Sequence, residues 1–197
     1  MALPSLLHPT RLRRGVLALG VATLVGLAGA ACGDDPFAIN WVETPDTVTL
    51  FSLERSELNV VSAFDFRGRT AVVVETPGSS GQWDVAVDTR GGQIVMVPAA
   101  ALGVDSRAAI APIPGTSYDD LVEAPADTAL YVDDQAVSVD LNTVYVIRTR
   151  RSVGSFGRRC FYYAKLQPLA TDAQAGTFTF FYDAARVCND RRLIPPD

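Results

Sequence analysis

The chain has 197 residues, of which 48% are hydrophobic and 20% charged, and its formal net charge is −5 at pH 7. This length is enough for one domain with a sizeable core. The acidic balance argues against nucleic acid as a partner and against electrostatic attachment to anionic lipid.

The N-terminus has the organisation of a bacterial export signal. Three arginines, Arg11, Arg13 and Arg14, precede an uncharged apolar run over residues 15–29. This run is too short for a comfortable transmembrane helix. We therefore expect residues 1–31 to be a cleaved signal peptide.

Small residues at positions 29–31 lead directly to Cys32, which resembles the acylated cysteine of a lipoprotein lipobox. Gly29 departs from that motif because the position usually carries an aliphatic residue. The alternative is an ordinary secreted protein cleaved near Ala31. Lipidation of Cys32 is the favoured interpretation. It predicts an exported chain held stably on a bacterial membrane, on the periplasmic side or at the cell surface.

The predicted mature chain is more acidic than the whole sequence and lacks histidine. Without residues 1–31, 166 of the 197 residues remain, and 14 of the 17 basic residues face all 22 acidic ones, a net charge of −8. The one histidine, His8, lies in the signal peptide. A Ser-His-Asp triad, a Cys-His dyad and a histidine-based zinc site are therefore excluded, and we expect no enzyme. A carboxylate-dependent hydrolase would need two convergent acids.

A short polar tether over residues 32–46 is predicted to precede an all-β domain over residues 47–197. Apolar and β-branched runs separated by turn residues predict strands in its first half. These strands span residues 47–53, 58–66, 70–75, 83–88 and 93–97.

The middle of the domain gives weaker signals. Residues 99–114 are rich in alanine and proline and receive no assignment. Ser117 followed by Asp120 is typical of a capped helical turn that ends by Pro125. Residues 130–132 and 136–139 are candidates for short strands.

The last third reads as an antiparallel meander of three strands, at residues 144–150, 160–169 and 177–182. If Cys32 carries lipid, Cys160 and Cys188 remain as one pair, and export allows a disulfide between them. A reactive or metal-binding cysteine pair is the alternative. The whole pattern predicts a two-sheet antiparallel sandwich-like fold.

Two side-chain concentrations in the meander are candidates for binding. The first is a group of aromatic residues in the final hairpin: Tyr162, Tyr163, Phe178, Phe180, Phe181 and Tyr182. Alternation places Phe178, Phe180 and Tyr182 on one face of the last strand and Phe181 on the other. The aromatic group is interpreted as core, with the wall of a ligand site as the alternative. Five arginines surround one turn and are expected to pair with acids or to bind an anionic group; they are Arg148, Arg150, Arg151, Arg158 and Arg159.

The order of several motifs resembles the HmuY family of exported bacterial lipoproteins over roughly residues 58–182. The motifs are Phe64-Asp-Phe66, Trp83-Asp84-Val-Ala, Val144-Tyr-Val-Ile-Arg-Thr149, Tyr163-Ala-Lys-Leu166 and Gly176-Thr-Phe-Thr-Phe-Phe-Tyr182. The resemblance implies an all-β, lipid-anchored protein whose founding relatives capture haem through histidines, or through methionine in some cases. This mature chain offers only Met96, whose alternative role is core filling.

We therefore expect non-catalytic capture of a ligand, and haem held through Met96 is one candidate. The alternative is an envelope interaction protein without a small-molecule ligand. A ligand-sized cavity would favour capture, and a filled core with an exposed apolar patch would favour interaction.

Overall fold

The computed structural model describes residues 41–196, which form two five-stranded antiparallel sheets packed as a sandwich. The first sheet contains, in spatial order, β1 (Asp46–Phe51), β12 (Thr177–Ala184), β11 (Tyr163–Asp172), β8 (Thr143–Arg148) and β6 (Ala109–Pro114). The second contains β3 (Thr70–Val72), β2 (Ala63–Asp65), β4 (Val85–Arg90), β5 (Gln93–Pro98) and β7 (Val137–Ser138). The predicted all-β sandwich is confirmed.

A small hairpin stands apart from both sheets. Its strands are β9 (Ser152–Val153) and β10 (Arg159–Cys160), and it lies in the connection between β8 and β11. Within residues 41–196, three short 3-10 turns complete the regular structure, at Ala99–Leu102, Thr128–Leu130 and Ser155–Gly157. The C-terminal meander is therefore β8, β11 and β12, interrupted by this hairpin.

The main core lies between the sheets and is dominated by aromatic rings. Phe178, Phe180 and Tyr182 alternate along β12 and are each 1% exposed, as the pattern predicted. Phe64 of the opposite sheet meets the Tyr182 ring edge-on at 4.9 Å between centroids. Burying rings of this size supplies most of the hydrophobic stabilisation available to such a domain.

A second cluster covers the outer face of β6 and β8. Val144 and Val146 point to this side, where Leu121, Tyr131 and Leu193 pack on them. Strand β8 is consequently buried on both faces, which explains its nearly continuous apolar sequence.

Strand β6 was missed in the sequence because Pro112 and Pro114 lie within it. It is an edge strand, and Ile110 exchanges backbone hydrogen bonds with Val132 on the side away from β8. Pro112 is two residues further along, so its nitrogen also faces away from β8 and removes no donor from that ladder. Proline is tolerated here by its position.

Several predicted elements are shorter or different in the structure. The predicted strand at 58–66 is reduced to Ala63–Asp65, because Asn59 adopts a positive φ of 66° and interrupts it. The strands at 70–75 and 136–139 shrink to Thr70–Val72 and Val137–Ser138. Residues 118–120 form a hydrogen-bonded turn instead of a helical turn.

Further differences lie at the boundaries. Residues 160–169, predicted as one strand, are divided between β10 and β11. Residues 130–132 contribute only the single bridge of Val132. Trp41, in the predicted tether, is 8% exposed, so folded structure begins before residue 47. The predicted signal peptide and Cys32 lie outside the described residues.

Candidate functional site

Three segments meet at one end of the sandwich and enclose an open cleft of about 390 Å³. The turn between β2 and β3 supplies two arginines, the residue before β11 supplies a tyrosine, and the chain leaving β12 supplies the rest. We call this the arginine cleft; it is lined by Arg67, Arg69, Tyr162, Ala184, Ala185 and Arg186.

The guanidinium groups of the arginine cleft are held in different ways. Arg69 forms an ion pair of 3.0 Å with Asp183, donates to the Thr44 carbonyl, and lies 4.8 Å from the Tyr182 ring centroid. Arg186 donates only to a neutral group, the Thr44 hydroxyl, at 3.0 Å. Arg67 is exposed, and its guanidinium lies 5.3 Å from the Tyr162 ring centroid.

A second open cleft of about 640 Å³ adjoins the first and shares Tyr162 and Arg186 with it. We call it the disulfide cleft; it is lined by Gly154, Phe156, Arg158, Cys160, Tyr162, Arg186, Val187 and Cys188. Phe156 lies between β9 and β10 and is fully exposed. The disulfide cleft is therefore the more apolar of the two.

The predicted disulfide is present and fixes the wall of this cleft. Cys160 and Cys188 are bonded, with 5.1 Å between their Cα atoms, so β10 is joined to the chain that follows β12. Asn189 strengthens the same junction, because its side chain accepts from the Phe161 N–H and donates to the Arg159 carbonyl. Gly154 packs directly on the Cys160 sulfur, where a Cβ would overlap it.

The charge of the two clefts is opposite in sign to that of the predicted mature chain. No carboxylate lines either cleft. Within residues 41–196, neither Arg67, Arg158 nor Arg186 forms an ion pair with an acidic side chain. These three positive charges therefore remain available to an anionic group from outside.

A third cleft of about 340 Å³ provides the contrast. Its lining includes the acids Glu43, Asp119 and Asp183 beside Lys165. Lys165 is almost fully buried, its ammonium nitrogen lies 3.5 Å from a Glu43 carboxylate oxygen, and it lies 4.5 Å from the Tyr118 ring centroid. The cation of this cleft is thus already matched by acids of the chain.

The most buried ionic cluster joins the two sheets. Arg150, which follows β8, makes two hydrogen bonds of 2.8 Å to Asp65 of β2. The fully buried Asp84 accepts the backbone N–H groups of Arg150 at 2.7 Å and Phe66 at 2.8 Å. We call Asp65, Asp84 and Arg150 the ionic latch. The charged groups of the latch are hydrogen-bonded to one another and to nearby backbone N–H groups, so we interpret the latch as structural.

The two carboxylates of the latch have pKa values shifted in opposite directions. Burial raises the pKa of Asp84 to about 6, although hydrogen bonds and the charge of Arg150 oppose the shift. Burial also disfavours ionisation of Asp65, but the hydrogen bonds from Arg150 and the Gly68 N–H outweigh it and lower the pKa.

Several candidate residues named from the sequence lie in the core and not in the clefts. Met96 is completely buried in the main core and lines neither the arginine cleft nor the disulfide cleft. Phe178, Phe180 and Tyr182 are core residues. The residues present therefore do not fit haem held through Met96.

The five arginines near one turn also separate. Arg158 lines the disulfide cleft, and Arg150 belongs to the ionic latch. Arg148 lies 5.1 and 5.2 Å from the ring centroids of Tyr131 and Phe161. The expected pairing with acids is thus found at Arg150, in a largely buried setting.

Arg67, Arg69 and Arg186 are cleft residues that the sequence did not single out. Arg67 and Arg69 are separated from Arg186 by more than a hundred residues. They come together only because the sheet that contains β2 packs on the sheet that contains β11 and β12. A turn of the form Arg-Gly-Arg was the only local signal. This pattern does not distinguish a ligand site from an ordinary solvent-exposed turn.

Residues 41–196 contain neither a metal-binding cluster of side chains nor a membrane-spanning helix. No group of three or more histidine, cysteine, aspartate or glutamate side chains is arranged to hold a metal ion. No helix in this part of the chain has the length and hydropathy needed to cross a bilayer.

The sequence was also compared with known proteins. No family model matches it, and no curated protein matches it. Membership of a family is therefore not shown for this chain, and its candidate site is defined by its own geometry, the arginine cleft and the adjoining disulfide cleft.

Proposed function

We propose that this protein is an exported, lipid-anchored binding protein of the bacterial cell envelope that captures its ligand without catalysis. The signal-like N-terminus ending at Cys32 supports the location. The absence of histidine from the predicted mature chain and the resemblance to HmuY lipoproteins support a binding role. The ligand is held at the surface where the arginine and disulfide clefts meet.

The observation that carries this proposal is the composition of that surface. Tyr162 lies in both clefts. Among residues 41–196, Arg67 and Arg186 of the arginine cleft have no acidic partner, and the exposed Phe156 lies in the disulfide cleft beside Arg158. The volumes of 390 and 640 Å³ fall within the usual range for small-molecule sites. Tyrosine and arginine, which both line these clefts, are also among the residues that most often dominate binding energy at protein interfaces.

The test uses N-phenyl-1-naphthylamine, a neutral aromatic dye whose fluorescence rises in apolar surroundings. Residues 41–196 contain both sheets and their core, so the mature chain from Gly33 can be titrated without its lipid. We expect saturable binding, weakened about tenfold in Phe156→Asn because an aromatic contact is lost. Asparagine suits the positive φ of 58° at this position.

Val153→Asn is the matched control, because Val153 is 73% exposed on the same hairpin but lines neither cleft. This variant should bind the dye like the wild type. Equal loss in both variants would contradict capture at this surface, as would failure of both this dye and its sulfonate analogue to bind saturably. Circular dichroism confirms that each variant is folded.

A second candidate function is attachment to another envelope protein, favoured by the full exposure of Phe156 and the 73% exposure of Val153 on one hairpin. A photo-crosslinking amino acid placed at position 156 in cells would then give one discrete adduct. The same amino acid at Leu58, which is 73% exposed and lies outside this hairpin, would give none. Adducts at both positions, or at neither, would argue against this candidate.

A further inference from the structure

We infer that the ligand of this surface is an anionic group joined to an apolar, aromatic body. The inference rests on the proposed function and specifies the chemical class of the ligand. The anionic group occupies the arginine cleft, and the aromatic body lies across Tyr162 into the disulfide cleft. Carboxylate, sulfonate and phosphate groups share the required chemistry.

The positive half of the site is built from side chains with unused hydrogen-bonding capacity. Arg69 is held by Asp183, so it contributes a fixed wall and little free charge. Arg67 rests on the Tyr162 ring and Arg186 donates to the Thr44 hydroxyl, which leaves their charges without an acidic partner among residues 41–196. A guanidinium group can bind planar oxyanions through two parallel hydrogen bonds.

The electrostatic setting makes this composition selective. The predicted mature chain carries a net charge of −8, so most of its surface repels anions. The two clefts form a region without any lining carboxylate. An anion is therefore directed to this region and finds complementary charge there.

The apolar half begins at the Tyr162 ring, which both clefts share, and continues over Val187 and the disulfide to Phe156. Aromatic rings pack against each other in offset or edge-on arrangements and against guanidinium planes. A fused aromatic body can therefore contact Tyr162 and Phe156 while its anionic substituent reaches Arg67 and Arg186.

Two dyes with the same ring systems test the inference directly. N-phenyl-1-naphthylamine is neutral, and 8-anilino-1-naphthalenesulfonate adds one sulfonate. We expect the mature chain to bind the sulfonate at least about tenfold more tightly at low salt, because charge-assisted hydrogen bonds are gained. Raising the ionic strength should reduce this advantage through screening.

Arg67→Gln and Arg186→Gln should each remove most of the advantage of the sulfonate while leaving binding of the neutral dye nearly unchanged. Arg151→Gln is the control, since it changes the net charge equally at an exposed arginine that lines neither cleft. Competition by 1-naphthoate, 1-naphthyl phosphate and inorganic phosphate then ranks the anions and shows whether the aromatic body is required.

The results separate the two levels of the proposal. Equal affinity for the two dyes, both sensitive to Phe156→Asn, would overturn the anionic class and leave capture at this surface intact. A sulfonate advantage that Arg151→Gln reduces as much as Arg67→Gln would also overturn it, because the effect would then come from net charge. Failure of both dyes to bind would overturn the proposed function itself.

Discussion

Asp84 illustrates how a single buried residue sets the pH response of this fold. Its carboxylate accepts two backbone N–H groups, and Arg150 lies against it, but burial still raises its pKa to about 6. An unfolded aspartate has a pKa of about 3.9. The folded protein therefore binds this proton more tightly than the unfolded chain does.

The sign of the linkage gives a specific prediction for Asp84. Its contribution to stability is fully present below about pH 4 and is lost as the pH rises through about 6, on the order of 2–3 kcal/mol. Asp65, whose pKa is lowered, acts in the opposite direction but below pH 4. The contribution of Asp84 should therefore make the free energy of unfolding in urea lower at pH 7 than at pH 5.

Asp84→Asn should remove this component of the pH dependence, whereas Asp88→Asn in the adjoining strand β4 should keep it. Asp88 is an informative control because it pairs with the neighbouring Arg90 at the surface, away from the latch. If the Asp84→Asn protein retained the slope of the wild type between pH 5 and 7, the assignment to Asp84 would be wrong.

Met96 gives a second prediction at the scale of one residue. It is fully buried between the sheets, so Met96→Ala should leave a cavity and lower the free energy of unfolding by about 2–5 kcal/mol. Because Met96 lines neither cleft, we expect no change in dye binding. Any visible absorption change on adding haemin should also be the same in wild type and variant.

At the scale of elements, the hairpin of β9 and β10 depends on a close contact between Gly154 and the disulfide. A Cβ at position 154 would overlap the Cys160 sulfur. We expect Gly154→Ala to destabilise the folded protein by about 1–3 kcal/mol through overpacking, measured by urea unfolding.

A double-mutant cycle identifies the cause of that loss. In a chain carrying Cys160→Ala and Cys188→Ala, the sulfur is absent and Gly154→Ala should cost much less. The cysteine substitutions alone should cost about 2–5 kcal/mol, because a long loop is no longer closed. An equal cost of Gly154→Ala in both backgrounds would show that the sulfur contact is not responsible.

The elements also show which parts of the fold the sequence could predict. The alternation in β12 correctly assigned Phe178 and Phe180 to the core, because period-two burial is a local property. Strand β6 could not be assigned, since prolines normally argue against a strand. Proline is tolerated in β6 only because β6 is an edge strand and the Pro112 nitrogen faces away from β8.

At the scale of the whole molecule, the residues behind the resemblance to HmuY have a structural explanation. Asp65 lies in the Phe64-Asp-Phe66 motif, Asp84 follows Trp83, and Arg150 directly follows the Val144–Thr149 motif. These three residues form the ionic latch between the sheets. Two of the motifs, and the residue after a third, therefore contribute to the ionic contact between the sheets.

The clefts could not be predicted because they depend on distant segments. Tyr162 was among the aromatic residues that the sequence offered as a ligand wall, but no local period or spacing connects it with Arg67 and Arg186. The disulfide was predictable because a signal-like N-terminus and a pair of cysteines beyond Cys32 can both be read from the sequence.

The proposed lipid anchor at Cys32 leads to a prediction for the full chain in a bacterial host. The wild-type protein should fractionate with membranes and incorporate labelled palmitate. The Cys32→Ser variant should not be labelled and should no longer fractionate with membranes, because it cannot carry the proposed acyl chains. Retention of both label and membrane association by Cys32→Ser would contradict lipidation at this residue.

The most direct test of the account is to locate a bound ligand by nuclear magnetic resonance. The mature chain, labelled with ¹⁵N, would be titrated with 8-anilino-1-naphthalenesulfonate. Capture at the surface predicts chemical-shift changes centred on Arg67, Tyr162 and Arg186, with Met96 and Phe180 unaffected. Changes centred on Met96 and Phe180 would place the ligand between the sheets and contradict the account.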